Sequence, residues 1–198
     1  MKKKNLSTRE LLLTIPEMKH YFGDLPRRNS IYLRILDYIT NNDFSLDDVP
    51  LKKAKEVIND LGISPHNFKH NIDQIYNDIL DLLIYDGYKY LNFGENKCSL
   101  YFSTYNTSLN IKCKLATIPR VGEKFDFNFI KPWFSTPYFF VLRVDHNFTV
   151  QGCETLIWLR IGSYNKFTAM EFDRRQFERL SKEWQNSDLR YYDPFAYI

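Results

Sequence analysis

Near Gly87 the spacing of apolar residues changes from the 3.6-residue repeat of a helix to the two-residue repeat of a strand, and no other feature limits the fold of this chain so strongly. From Ser30 to about Asp86 the repeat is helical. Ile31, Ile35, Leu36 and Ile39 form one stripe, on a helix with Ser30 as its cap and the polar Asn41-Asn42-Asp43 turn as its end. Leu51, Ala54, Val57, Ile58 and Leu61 form a second, shorter stripe that Gly62 closes in the left-handed conformation. The third start signal joins an N-cap oxygen on Ser64 to Pro65 at the first helical position, where a missing N–H costs nothing. Behind it Phe68, Ile72, Ile75, Tyr76, Ile79, Leu80 and Leu83 recur at spacings of three and four, enough for about five turns.

Beyond Gly87, Leu109, Ile111, Cys113 and Leu115 alternate with Asn110, Lys112 and Lys114, the pattern of a half-buried strand, and Phe125, Phe127 and Phe129 repeat it. Further strands are expected over Tyr88 to Phe93, Cys98 to Tyr105, Tyr138 to Val144 and Thr155 to Ile161, with Gly- and Pro-containing turns between them. A last helix from about Asp173 places Phe177, Leu180 and Trp184 on one face, as a lid for the sheet. The expected fold class is therefore α+β: an N-terminal three-helix, helix-turn-helix-like bundle, then a small antiparallel β barrel or sandwich with a C-terminal helix. Residues 1–87 form the helical unit with a basic N-terminal arm, and residues 88–198 the β unit with an aromatic tail.

Composition narrows the function. Thirty-three aromatic residues among 198 are too many for a disordered chain, and a net charge of +3 is too small for a polycation that coats nucleic acid without selectivity. Cys98, Cys113 and Cys153 are odd in number and widely spaced, so they read as buried thiols rather than as a disulfide framework. No run of about 18 apolar residues exists, and Leu11-Leu12-Leu13 is too short a core for a secretory signal, so a cytoplasmic address and no membrane partner are expected. The seven glycines are isolated, which removes the phosphate loops of the common nucleotide-binding folds; no cofactor is expected.

Two constellations suggest chemistry. His66 and His70 share a helix face at metal-ligand spacing, yet Asn67-Phe68-Lys69 between them lacks the glutamate of a zinc protease and adds a cation, so exposed polar histidines are expected instead of a metal site. Asp145-His146 with Cys153-Glu154 contains the parts of a thiol nucleophile, its base and an orienter, but a strand end leading into a turn explains the same residues. Asp47-Asp48 read as a cap for the second helix. A non-enzymatic protein is expected.

The run from Lys53 to Lys69, with Ala54 in its first helix, Gly62 in its turn and Ile63 and Phe68 at packing positions, resembles the helix-turn-helix of response-regulator effector domains and of the fourth region of sigma factors. The resemblance implies that His66, Asn67, Lys69, His70 and Asn71 face DNA, with Lys52 and Lys53 on phosphates. Charge opposes it. Residues 1–40 carry eight basic and four acidic side chains, residues 41–90 five and nine, and residues 91–198 fourteen and eleven, so the supposed reading unit is the acidic part. A plain structural hairpin explains the same pattern.

The segment Leu82-Leu83-Ile84-Tyr85-Asp86-Gly87-Tyr88-Lys89-Tyr90-Leu91-Asn92-Phe93 is similar to the helix, Gly-aromatic junction and strand of podovirus-type head-to-tail adaptor proteins. That resemblance implies a structural role, as a ring or connector component of a phage-like virion, with a DNA-binding regulator from a mobile element as the alternative. Self-association or contact with neighbouring subunits is then expected through Trp133, Phe134 and Tyr138 and through the tail residues Tyr191, Tyr192, Phe195 and Tyr197, since aromatic side chains dominate such contacts. The address would be the virion if the chain is phage-encoded. The Ile75 stripe gives a direct test of the helical reading: Ile75→Asp, which buries an unpaired charge, is expected to cost about 4 kcal/mol or more in thermal unfolding followed by circular dichroism. An unchanged melting temperature would place the stripe on the surface.

Overall fold

A computed structural model describes residues 6–42, 53–104, 107–150 and 152–165, together with 167, 170, 174, 175, 177–179, 181 and 182. The fold is α+β, with helices first and a five-stranded mixed sheet, curved as a half-barrel, after them. Helical structure begins earlier than the apolar spacing predicts. Helix α1 (Thr8–Thr14) continues into a ten-residue 3₁₀ helix, Ile15–Asp24, and Leu11, Leu12, Ile15 and Met18 are buried. Leu12, Ile15, Met18 and Tyr21 recur every three residues, which is the period of a 3₁₀ helix and brings one apolar row onto the core.

Helix α2 (Ser30–Asn41) is capped by Asn29, whose side-chain oxygen accepts from the Tyr32 N–H at 2.9 Å; Ser30, the expected cap, is its first helical residue. Helix α3 (Ala54–Leu61) ends at Gly62 with φ 59°, a left-handed turn that lets the Ile63 N–H reach the Ile58 carbonyl. Helix α4 (Pro65–Tyr90) starts as its sequence predicts, with Ser64 Oγ accepting from the Asn67 N–H at 3.2 Å. All seven residues of its apolar stripe are buried. Its middle is fixed by Asp78, which is 6% exposed, accepts two bonds from Arg28 at 2.7 and 2.8 Å, and accepts a third from Tyr32 Oη at 2.9 Å. No described helix is long and apolar enough to cross a membrane.

Helix α4 does not stop near Gly87. After a local distortion at Asp86 it continues to Tyr90, because Leu83, Gly87 and Tyr90 carry the buried face onward. The strand expected over Tyr88 to Phe93 is thus replaced by the end of a helix and a single bridge from Asn92 to Lys114. The strands proper are β1 (Asn96–Ser103), β2 (Ser108–Leu115), β3 (Lys124–Asp126), β4 (Tyr138–Thr149) and β5 (Gly152–Ile161). Phe127 and Phe129 leave the strand pattern, since a 3₁₀ turn (Asn128–Ile130) and helix α5 (Lys131–Phe134) follow β3.

The sheet order is β2-β1-β5-β4-β3, and β1 pairs with β5 in parallel. The expected all-antiparallel, closed or doubled arrangement is corrected on this point. Its cause is local: Leu91 and Phe93 bond to Lys114 at 2.8 Å each, so the outer edge of β2 is already occupied and the later strands must add beside β1. On the concave face Phe102 meets Phe125, Phe127, Phe134 and Phe139 at centroid distances of 5.0 to 6.3 Å. Tyr76 of α4 joins this layer by donating to the Phe129 carbonyl at 3.0 Å, and one core cluster runs from Leu6 to Leu159. Of the expected C-terminal lid, Asp173, Leu180 and Trp184 lie outside the described residues, and Phe177 is 72% exposed rather than packed on the sheet.

Helix and sheet meet most closely at Gly87. A β-carbon there would stand 1.9 Å from the Lys112 carbonyl oxygen, a backbone atom that cannot swing aside. Gly87→Ala is accordingly expected to cost about 3 kcal/mol or more in urea unfolding, whereas Gly23→Ala, with open space around it, should stay within about 0.5 kcal/mol. Equal midpoints for the two variants would show that α4 and β2 separate readily.

Candidate functional site

Strand alternation gives the sheet two faces. Cys98, Leu100, Phe102, Ile111, Cys113, Ile157 and Leu159 point into the core, so their neighbours point outward. The register places Lys97 beside Lys114, Ser99 beside Lys112 and Tyr101 beside Trp158, and Trp158 beside Arg143 on the next strand. An outward row of cations therefore flanks a pair of aromatic rings. The rings of Tyr101 and Trp158 lie 4.7 Å apart at 45°, and the indole is held by its Nε1–H, which donates to Asp145 Oδ2 at 2.9 Å. Arg143 Nε donates to the other oxygen of Asp145 at 2.7 Å.

The other outward carboxylate, Glu154, accepts from Tyr88 Oη at 2.5 Å and from Ser99 Oγ at 2.8 Å. These two hydrogen bonds, with help from Lys112 and Lys97, hold its carboxyl below the usual carboxylate range, while burial and the same bond push the Tyr88 phenol up. Lys112 Nζ also sits 5.7 Å above the Tyr88 ring. Further along the sheet, Phe140 is buried on this outer face beneath Tyr164, at 5.9 Å. Tyr101, Leu156 and Trp158 stay half-buried and are not part of the core cluster.

Past the body of the sheet the β4–β5 hairpin projects alone. Phe148 is 78% exposed and Val150 fully exposed. The thiol constellation expected here divides between faces: His146 and Cys153 follow Val144 and Phe148 on one side, while Asp145 and Glu154 are on the other, bound to Trp158 and Tyr88. His146 Nδ1 meets Thr155 Oγ1 at 3.1 Å, so no carboxylate orients it toward a nucleophile. Cys153 is exposed, unlike the buried thiol expected, because β5 extends into the projecting hairpin. Cys98 and Cys113 are buried opposite each other on β1 and β2, and their hydrogen bond lowers the first thiol and raises the second.

At the helix-turn-helix-like corner, His66, Asn67, His70 and Lys53 are exposed. Lys69 is not available as a reader: its Nζ donates to the Leu6 carbonyl and, at 2.5 Å, to Asp73 Oδ1. Asn71 is also withdrawn, being buried and bonded to Asn29 at 3.0 Å. Lys52 lies outside the described residues, as do Tyr191, Tyr192, Phe195 and Tyr197. Of the remaining expected contact residues, Phe134 is buried against Phe102 and Phe139, and Trp133 packs on the core; Tyr138 is 63% exposed. Phe134 is therefore corrected from a surface to a packing residue, because α5 turns it inward, and Trp133 is half-buried beside it.

A cavity of about 390 Å³ between the Ile15–Asp24 helix and α2 is lined by Lys19, Phe22, Leu25, Arg27, Asp37 and Thr40, with neither histidine nor cysteine among its lining residues. Among the described residues no three His, Cys, Asp or Glu side chains converge on a metal position. No family model, characterised protein or solved structure matches the chain.

The Glu154 cluster supplies a pH test with a definite sign. Because the folded pKa is depressed from the ordinary 4.5, its contribution to stability is present above that value and is lost as pH falls through the folded pKa. Tyr88→Phe is expected to move the Glu154 midpoint upward in a carbon-detected NMR titration. An unmoved midpoint would mean that the Tyr88 bond does not exist in solution.

Proposed function

We propose that this chain is a non-enzymatic interaction protein, a ring or connector-type component of a phage-like assembly, and that it associates with second copies of itself through the β4–β5 hairpin. One observation carries the reading. Strand β3 lies beside β4 only over Tyr138–Phe140, and Gly122 and Glu123 continue the pairing to Val141; residues 142–148 then run with no described strand on that side. Long uncovered strand edges invite pairing with another chain. An apolar tip at Phe148 and Val150 adds surface that gains by burial.

A second copy suits this edge through charge. A two-fold antiparallel pairing centred on Val144 sets Arg143 opposite Asp145 twice, and brings the Phe148–Val150 tip against β3 of the other copy, which covers the edge from Tyr138 to Val141. Within this proposal α2, α3 and α4 act as the three-helix unit of residues 1–87, and the sheet as the contact-bearing unit of residues 88–198. The second reading, DNA binding through the α3–α4 corner, is supported by the exposed His66, Asn67 and His70 and weakened by the loss of Lys69 and Asn71 to internal bonds.

The test is sedimentation velocity on the parent chain and on the Phe148→Ser/Val150→Ser double variant, which removes only exposed side chains outside the core. The parent is expected as a dimer or larger species, and the variant as a monomer with the same melting temperature. A parent that stays monomeric at every accessible concentration, or a variant that associates equally well, would sink the reading.

A further inference from the structure

We propose that the outer face of the sheet binds a single strand of nucleic acid, with bases stacked on Tyr101 and Trp158 and phosphates held by Lys97, Lys112, Lys114 and Arg143. This site lies away from the α3–α4 corner and shares only Arg143 and Asp145 with the hairpin edge. Three features of the face point to it together. First, two large rings stand on adjacent strands at 4.7 Å, half-exposed, on a face where the apolar core has no claim on them. Every base has a π-face, so such rings take bases of any identity, and adjacent strands present them side by side.

Second, the cations lie on the same face and on both flanks of the rings. Lys97, Lys112 and Lys114 occupy three facing positions of β1 and β2, while Arg143 stands next to Trp158 on β4. Strands 4.7–4.9 Å apart place these charges at intervals comparable with the spacing of successive phosphates. Third, the two carboxylates on this stretch are both engaged. Glu154 is satisfied by Tyr88 and Ser99, and Asp145 fixes the indole and Arg143, so each orients the platform more than it repels an anion. An apolar protein segment would leave the lysine row unmatched, and a duplex keeps its bases in the stack, where the rings cannot reach them. A single strand satisfies rings and cations at once.

The experiment uses the full chain with fluorescent oligo(dT) and oligo(rU), a duplex of equal length, and dextran sulfate as a polyanion without bases. Both single strands are expected to bind more tightly than duplex or dextran sulfate, and a preference between them distinguishes RNA from DNA through the 2′-hydroxyl. Lys97→Gln/Lys112→Gln is expected to lower the slope of log K against log salt by about 1.4, at about 0.7 for each lost charge on a single strand. Tyr101→Leu, which keeps the packing volume and removes the ring, should weaken binding roughly ten-fold.

The chain holds three tryptophans, so oligonucleotide quenching of fluorescence that disappears in Trp158→Phe, with affinity kept within a few-fold, would assign the stacking directly. Absence of binding to either single strand at low salt would overturn the proposal. So would binding equal to that of dextran sulfate and indifferent to Tyr101→Leu, and so would a duplex preference that survives Lys97→Gln/Lys112→Gln and is lost in His66→Ala/His70→Ala. None of these outcomes depends on the association state, which the sedimentation measurement reads independently.

Discussion

The close passage of α4 across β2 is the contact on which the rest of the structure depends. At Gly87 the helix touches the backbone of Lys112 with no side chain between, and immediately afterwards Leu91 and Phe93 bond to Lys114. The first contact sets how deeply the helix can sit on the sheet, and so lets its buried stripe share one core with Phe102 and its aromatic neighbours. The second closes the outer edge of β2. With that edge taken, β5 can reach the first hairpin only by lying beside β1, and the sheet becomes mixed. Backbone proximity at two residues thereby selects the order of five strands.

Electrostatics reinforces this arrangement at few points, each of them specific. The buried Asp78 would be costly alone, and Arg28 with Tyr32 supplies the three bonds that make it tolerable; the result ties the segment before α2 to the middle of α4. Burial and the bond to Asp78 push the Tyr32 phenol up, while desolvation beside the same carboxylate raises Asp81. On the far side of the sheet, Glu154 and Asp145 play a different part. They are not buried, and they organise a phenol, a hydroxyl, an indole and a guanidinium on an open surface.

That division bears on function. The core face of the sheet is packed by phenylalanines, whereas the outer face and the projecting hairpin carry the exposed rings, the cations and the uncovered strand edge. The two surfaces differ in chemistry. An edge of backbone groups with an apolar tip suits another polypeptide, and paired rings among lysines suit a polyanion with flat bases. Under the two proposals taken together, the chain would hold a nucleic acid within an assembly of its own copies.

The sequence by itself determined the local elements whose signals lie within a few residues. The Ser64-Pro65 start, the Gly62 turn, the stripe from Phe68 to Leu83 and the alternation from Leu109 to Leu115 all appear where their spacing puts them, because capping, left-handed φ and periodic burial act over one or two turns. Composition also made the aromatic core legible, though not its members: Phe134 looked like a surface residue until α5 turned it inward. The 3₁₀ helix carried a three-residue repeat that a search for 3.6 passes over. Only the tertiary structure decided the rest. Alternation says which residues share a face and nothing about which strand lies alongside, so the parallel β1–β5 pair, the meeting of Tyr101 with Trp158 from 57 positions away, and the capture of Lys69 by Leu6 and Asp73 are set by long-range packing. Helix α4 overran its expected end for the same reason: Gly87 reads locally as a breaker, but the space above Lys112 admits no other residue and the buried face continues to Tyr90.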